Sequence, residues 1–261
     1  MSDLTLQGKT AIVTGSNRGI GRAVARALAS EGASCVLCAR DEQKLASVER
    51  EIKEAGGEAS SVSLDLRAPD AASRLVDFTA ARYGRIDIVV NNAGATKRGS
   101  FLELTDEDFV DGFALKYFAA VRMSRAAWPW LQRSGGSIVN VAGVGGRTPG
   151  PLFAIGGSVN AAMLSLTKSL AATALGTGIQ VNAVNPGAIK TERLEKRLAA
   201  LAESHNVSID QAERIFVDTE EVTRIGQPED IAKLIVFVVG PEGRFLHGAL
   251  IDMDGGATKT L

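Results

Sequence analysis

Tyrosine is scarce in this chain. There are two in 261 residues, Tyr83 and Tyr117, alongside two histidines and two cysteines. No second Cys or His pair stands near enough to complete a zinc set around Cys35 and Cys38, so no metal site is expected. His205 and His247 are isolated and read as surface or structural residues. The Cys-x-x-Cys spacing falls inside the apolar run Cys35–Ala39. A redox pair would open a helix, whereas strand positions three apart face opposite sides. Both cysteines are therefore expected in the core. An excess of one charge is also missing, with 29 basic residues against 30 acidic. That balance offers nothing to attract nucleic acid or an anionic membrane surface. No apolar run approaches the length of a membrane span. The residues before Ala11-Ile12-Val13 form no charged-then-apolar leader, and a cytoplasmic location is expected.

What the chain does have is an alternation of apolar runs and amphipathic stretches. Ala11–Val13, Cys35–Ala39, Ser61–Leu64, Ile86–Val90, Ile138–Val141, Ile179–Val184 and Leu250–Ile251 read as strands. Between them lie helical patterns, among them Gly19–Glu31, one long stretch from about Asp106 to Gln132, Gly157–Leu175, and a helix after Pro228. Continuously apolar strands alternating with helices predict an α/β fold with a parallel sheet covered on both faces. No linker or repeat interrupts the pattern, so residues 1–261 are expected to form one domain. The charged stretch 190–222 is the exception, and reads as one or two inserted helices forming a substrate lid.

The first strand runs into Thr14-Gly15-Ser16-Asn17-Arg18-Gly19-Ile20-Gly21 and then a helix. Glycines here let backbone N–H groups approach a pyrophosphate, and the positive end of the helix points at the same charge. This placement predicts a dinucleotide site in a Rossmann-type, doubly wound sheet. The second strand ends at Ala39, followed by Arg40. An acid at that strand end would grip the ribose of NAD. Arg40 and Arg18 instead suit a 2′-phosphate, so NADP(H) is expected over NAD(H).

Taken together, these residues resemble the short-chain dehydrogenase/reductase family along nearly the whole chain. Thr14–Gly21 matches that family's glycine turn. Asp65, with Leu66 beside it, matches the acidic residue that contacts the adenine. Asn91-Asn92-Ala93-Gly94 matches a family signature. Asn182 to Gly187, then Ile189 and Thr191, resembles the segment that closes over the nicotinamide, and Asp254-Gly255-Gly256 matches another recurrent element. The resemblance thus implies a cofactor set of Gly15, Asn17, Arg18, Gly19, Ile20, Gly21, Arg40, Asp65, Leu66, Asn92, Ala93, Gly94, Asn160, Pro186, Gly187, Ile189 and Thr191.

The same resemblance implies a catalytic Ser, Tyr and Lys, with an Asn on an earlier helix, and this sequence departs at all four. Gly143 falls in the Ser position, Gly156 in the Tyr position, Asn160 in the Lys position and Lys116 in the Asn position. Neither tyrosine follows the fifth strand, where the proton donor would lie. Lys116 either points its ammonium into the vacated site, where desolvation would lower its pKa, or snorkels at a helix edge. Asn160 could still bond the nicotinamide ribose. Asn140, Thr148 and Ser158 are further polar candidates, Ser158 alternatively as a helix cap. The volume left by two glycines either admits a bulkier substrate or is filled by apolar neighbours. The expected function is an NADP(H)-dependent oxidoreductase with an atypical site. It would act on a small carbonyl or hydroxyl compound or an activated alkene. The alternatives are a catalytically silent NADP(H)-binding sensor or scaffold, and a pocket turned to non-redox chemistry. A homo-oligomer, dimer or tetramer, is implied, with Phe113, Leu115, Phe118 and Val121 as apolar candidates for its interface.

Overall fold

A computed structural model of the chain describes residues 5–260. Seven parallel strands form one sheet in the order β3-β2-β1-β4-β5-β6-β7. They are β1 (Thr10–Thr14), β2 (Ser34–Ala39), β3 (Glu58–Ser63), β4 (Ile88–Asn91), β5 (Ser137–Val141), β6 (Gln180–Pro186) and β7 (Leu250–Met253). The third strand begins three residues earlier than the apolar pattern suggests. Its first half, Glu58-Ala59-Ser60, is too polar to stand out, yet Ser60 pairs with Val36 in the ladder.

Alternate strand residues feed two cores, one on each face. Ala11 and Val13 pack with α1 (Gly19–Ser30), α2 (Glu42–Glu54) and α9 (Pro228–Val239), through Val24, Leu28, Val48, Ile231 and Ile235. Ile12 and Val89 pack on the other face with α3 (Ala71–Tyr83), α5 (Ala119–Ser134) and α6 (Ala154–Ala174), through Leu75, Met123 and Leu131. Cys35 lies in the first core and Cys38 in the second, as three-residue spacing on a strand requires. Burial pushes both thiols up to about 12, so neither forms a thiolate at neutral pH.

The long helix expected from Asp106 to Gln132 is not continuous. It comprises α4 (Asp106–Phe113), a π turn at Ala114–Phe118, and α5. A π turn widens the helical repeat and rotates the helix beyond it, so it re-aims the side chains it contains. The charged stretch 190–222 supplies α7 (Glu192–His205) and α8 (Ile209–Thr219). They share a small apolar cluster of their own, Leu194, Leu198, Phe216 and Ile225.

Candidate active site

The strand order reverses direction between β1 and β4, and crevices at such points receive ligands beyond the strands' carboxyl ends. Here that crevice is assembled by Thr14. Its hydroxyl accepts from the backbone N–H groups of Asn92 and Ala93, both at 3.0 Å. The Asn92 amide returns the contact, donating to the Thr14 carbonyl at 2.9 Å and to that of Gly15 at 3.2 Å. Asn92 thus clamps the glycine turn with its side chain rather than offering it to a ligand. Gly15 has φ +66°, and a Cβ there would fall 2.9 Å from Ala93 Cα. A Cβ on Gly21 would overlap the Gly15 carbonyl oxygen. Nothing larger than glycine fits either place.

Helices α2, α4 and α8 are capped by the side chains of Asp41, Thr105 and Ser208. In contrast, α1 has no side-chain cap and no acid in its first turn. Its N–H groups and dipole are left for an anion, which fits a pyrophosphate. Arg18 precedes this helix and Arg40 follows β2, with the glycine turn tied to β2 by Gly15 N donating to the Cys38 carbonyl at 2.7 Å. Both arginines are exposed. Arg18 bonds Glu192 of α7 at 2.5 Å, and Arg40 lies 3.8 Å from Asp65. These positions border the glycine turn, where a nicotinamide dinucleotide fits.

Other residues of the expected cofactor set divide between backbone and side-chain roles. Leu66 and Ile189 are buried in the two cores, so they can meet a ligand only through their main chain. Ile20 packs against the first core. Asn17 and Thr191 line the cleft beside α1, and the Thr191 methyl would be 3.2 Å from a Cβ on Gly19. Pro186 ends β6, and Gly187 is pressed against Asp254, 2.7 Å from where its Cβ would stand. In the Asp254-Gly255-Gly256 element beside it, the Asp254 carboxylate accepts from Gly256 N at 3.0 Å and from Thr258 N at 2.7 Å.

A second set of residues converges next to this crevice. Lys116, in the π turn, does not snorkel. Its ammonium donates to the Ala142 carbonyl and to Asn160 Oδ1, both at 2.6 Å. Its stem lies along Gly94, where a Cβ would come within 3.0 Å of Lys116 Cδ. The residue is half-buried, and no carboxylate among the described residues pairs with it. Burial first, then the charge of Arg193, pushes its pKa down to about 7. Of three ammonium protons, two have acceptors and one is free.

Gly143 and Gly156 flank this pair. A Cβ on Gly143, which has φ +142°, would be 2.9 Å from Asn160 Nδ2. A Cβ on Gly156 would overlap the ring of Phe153, and one on Gly145 would be 2.7 Å from the same ring. Phe153 therefore fills space beside Gly156. The Arg98 guanidinium stacks over that ring at 4.7 Å. Arg193 of α7 donates to the Gly94 carbonyl at 3.3 Å.

Sequence reasoning did not single out Arg98 or Phe153, read Thr14 only as the start of the glycine turn, and read Glu192 and Arg193 only as part of the stretch 190–222. Conversely, several polar candidates lie elsewhere. Asn140 is fully buried, accepting from Asn91 and donating to Thr167, both at 2.9 Å. Thr148 is exposed and bonds only the Val144 carbonyl, at 3.4 Å. Ser158 is exposed inside α6 and cannot cap it, because that helix begins four residues earlier. Tyr83 bonds Glu58 and Ser60 at the β3 side, and Tyr117 packs edge-on against Phe113 and Phe118. Neither phenol reaches the Lys116–Asn160 pair.

Comparison with known proteins covers nearly the whole chain. Residues 15–258 match the family described as enoyl-(acyl carrier protein) reductase. An uncharacterised oxidoreductase of Mycobacterium tuberculosis is 34% identical, over 97% of this chain and 93% of its own. The crystal structure of L-sorbose reductase from Gluconobacter frateurii, complexed with NADPH and L-sorbose, superimposes with a TM-score of 0.95. It is 31% identical and matches 99% of this chain and 100% of that one. A short-chain dehydrogenase from Burkholderia cenocepacia in complex with NADP gives 0.86 at 33% identity, covering 97% and 99%.

Proposed function

This chain belongs to the short-chain dehydrogenase/reductase family, and we propose that it is an NADP(H)-dependent oxidoreductase in which Lys116 replaces the usual phenolic proton donor. The observation that carries this reading is the Lys116 ammonium. It is turned inward, held at 2.6 Å by both Asn160 and Ala142, and keeps one proton without an acceptor.

NADPH, when bound, supplies a hydride. Arg18 and Arg40 would take its 2′-phosphate, and the uncapped end of α1 its pyrophosphate. As a substrate carbonyl carbon gains the hydride, its oxygen takes up the C=O π electrons and needs a proton. Lys116 donates that proton, leaving a neutral amine that solvent reprotonates. A group with pKa near the working pH is well matched to this task, and such donors contribute about 10²–10⁴-fold to rate. Asn160 is a positioning residue: its Oδ1 fixes the ammonium, and its Nδ2 fills the side facing Gly143. The substrate is a small carbonyl or hydroxyl compound or an activated alkene. The lid is formed by 190–222, the whole chain acts as one domain, and the protein works as a homo-oligomer.

One observation favours a second reading. The Phe153 ring closes the space beside Gly156, as it would in a silent NADP(H)-binding sensor or scaffold. Single-turnover incubation with NADPH deuterated at nicotinamide C4 separates the two. A panel of ketones, aldehydes, quinones and activated alkenes is analysed by mass spectrometry. Label in a product that is lost in Lys116→Met supports the oxidoreductase. Tight NADPH binding with no label in any product favours the binding protein.

A further inference from the structure

The cations around the cleft fall into two groups. Most have an acid beside them. Lys97 bonds Asp108 at 2.7 Å, Arg67 bonds Asp111, Arg197 bonds Glu220 at 3.3 Å, and Arg18 bonds Glu192. Arg98, Arg193 and Lys116 have no carboxylate within ion-pair distance among the described residues. These three come from separate elements: the loop after β4, the first turn of α7, and the π turn.

Shared neighbours bring them to one place. The Gly94 carbonyl accepts from Arg193 while the Gly94 Cα face carries the Lys116 stem, so Gly94 lies between the Arg193 guanidinium and the Lys116 side chain. Gly99 N donates to the Leu152 carbonyl at 3.2 Å, which draws the loop after β4 over Phe153 and sets Arg98 on its ring. Phe153 itself packs on Gly145 and Gly156 beside Asn160. Arg98 and Arg193 are exposed as residues. Protein still crowds their guanidiniums, and burial together with neighbouring positive charge pushes both below the usual arginine range. Arg197 acts on Arg98 in this way, and Arg18 on Arg193. Arg193 itself adds to the effect on Arg98, while Glu220 offsets part of it. Like charges brought this close favour an anion that joins them.

We propose that Arg98 and Arg193 form an anion site next to the Lys116–Asn160 pair, and that the substrate carries a carboxylate or phosphate group which this site holds. Planar guanidinium groups suit either oxyanion, bidentately, better than ammonium groups would. The proposal rests on the reading of this cleft as the substrate site. It narrows the substrate from any small carbonyl compound to one with a fixed negative charge near the reacting carbon.

The test is binding, read by NMR of arginine side-chain Nε–Hε groups in protein saturated with NADP⁺, which occupies the cofactor's own phosphate positions. The probes are malonate for carboxylates and inorganic phosphate for phosphates, with malonamide as the neutral control. The expected result is a saturable shift of the Arg98 and Arg193 signals with at least one anion and none with malonamide. In Arg98→Met the affinity should fall about tenfold or more, the loss of one charge-assisted contact. Arg133→Met, on α5, should leave it unchanged. No saturable shift up to about 100 mM of either anion, or equal affinity in Arg98→Met, would overturn the site. So would binding seen only without NADP⁺, which would assign both guanidiniums to the cofactor. Label transfer from deuterated NADPH is a separate readout. An anion site without any labelled product would sink the oxidoreductase reading alone, and labelled neutral products without an anion site would sink this inference alone.

Discussion

The ring of Phe153 stands where a side chain at position 156 would begin, overlapping the place of a Cβ on Gly156. Phe153 is the residue that precedes α6 and Gly156 lies in its first turn, so the ring folds back over that turn. A tyrosine introduced at 156 must evict that ring from Gly145 and from beneath Arg98. Gly156→Tyr is expected to destabilise the protein by about 1–3 kcal/mol, the usual cost of overpacking. Phe153→Ala with Gly156→Tyr should recover much of that loss. Urea unfolding of both singles and the double would yield the coupling. Simple additivity would show that the ring moves aside freely.

The Lys116 proton sets a pH dependence for reduction. With a pKa near 7, the ammonium form declines as pH rises through that value. The rate of hydride transfer to a carbonyl substrate should fall above about pH 7. Lys116→Met should lower it by about 10²-fold or more while leaving NADPH affinity in place. Stopped-flow oxidation of NADPH between pH 5.5 and 9 measures both. A flat profile in the wild type would mean that the proton comes from elsewhere.

The same shift has a consequence for stability, with a definite sign. Folding lowers the Lys116 pKa from 10.5 to about 7. Between those values the unfolded chain binds more protons at this site than the folded one, so stability rises with pH there. Below about 7 both states are protonated, and the cost of burying the charge beside Arg193 is fully present. Relative to Lys116→Met, the wild type should gain stability from pH 7 to pH 10 and hold a constant offset below pH 7. Denaturant midpoints across that range read the difference. A parallel pair of curves would place the ammonium in solvent.

Arg18 and Arg40 bear on cofactor choice. Charge-assisted hydrogen bonds contribute about 1.5–3 kcal/mol, so Arg18→Ala and Arg40→Ala should each weaken NADPH roughly 10- to 100-fold. NADH, which lacks the 2′-phosphate, should be affected far less. Glu192→Gln should strengthen NADPH binding, because Glu192 competes for Arg18 at 2.5 Å. Fluorescence titration with both nucleotides measures all three effects. Equal losses for NADPH and NADH would remove these arginines from the 2′-phosphate.

Much of the fold was legible because the strands carry their own signal. Runs such as Ile88–Val90 and Val139–Val141 are buried throughout, which only a covered parallel sheet explains. β3 was harder to bound, because an edge strand with Glu58 and Ser60 lacks that continuity. The glycine turn after β1 was legible for a similar reason: glycine, where backbone must approach backbone, has no substitute, and Gly15 and Gly21 are spaced accordingly.

The sequence by itself determined the sheet, the dinucleotide crevice, the absence of a tyrosine after the fifth strand, and the two glycines beside Asn160. All of these come from local pattern or from which residues exist at all. The direction of Lys116 was decided only by the tertiary structure. The π turn at Ala114–Phe118 shifts the phase of an apparently regular helix, and no periodicity announces it. The filling of the space beside Gly156 was decided in the same way, since Phe153 reads in sequence as an ordinary residue before a helix. So was the placement of Arg98 and Arg193 on the same side of the molecule as Lys116. They lie on segments far apart in the chain, and the sheet brings both segments to the same carboxyl edge.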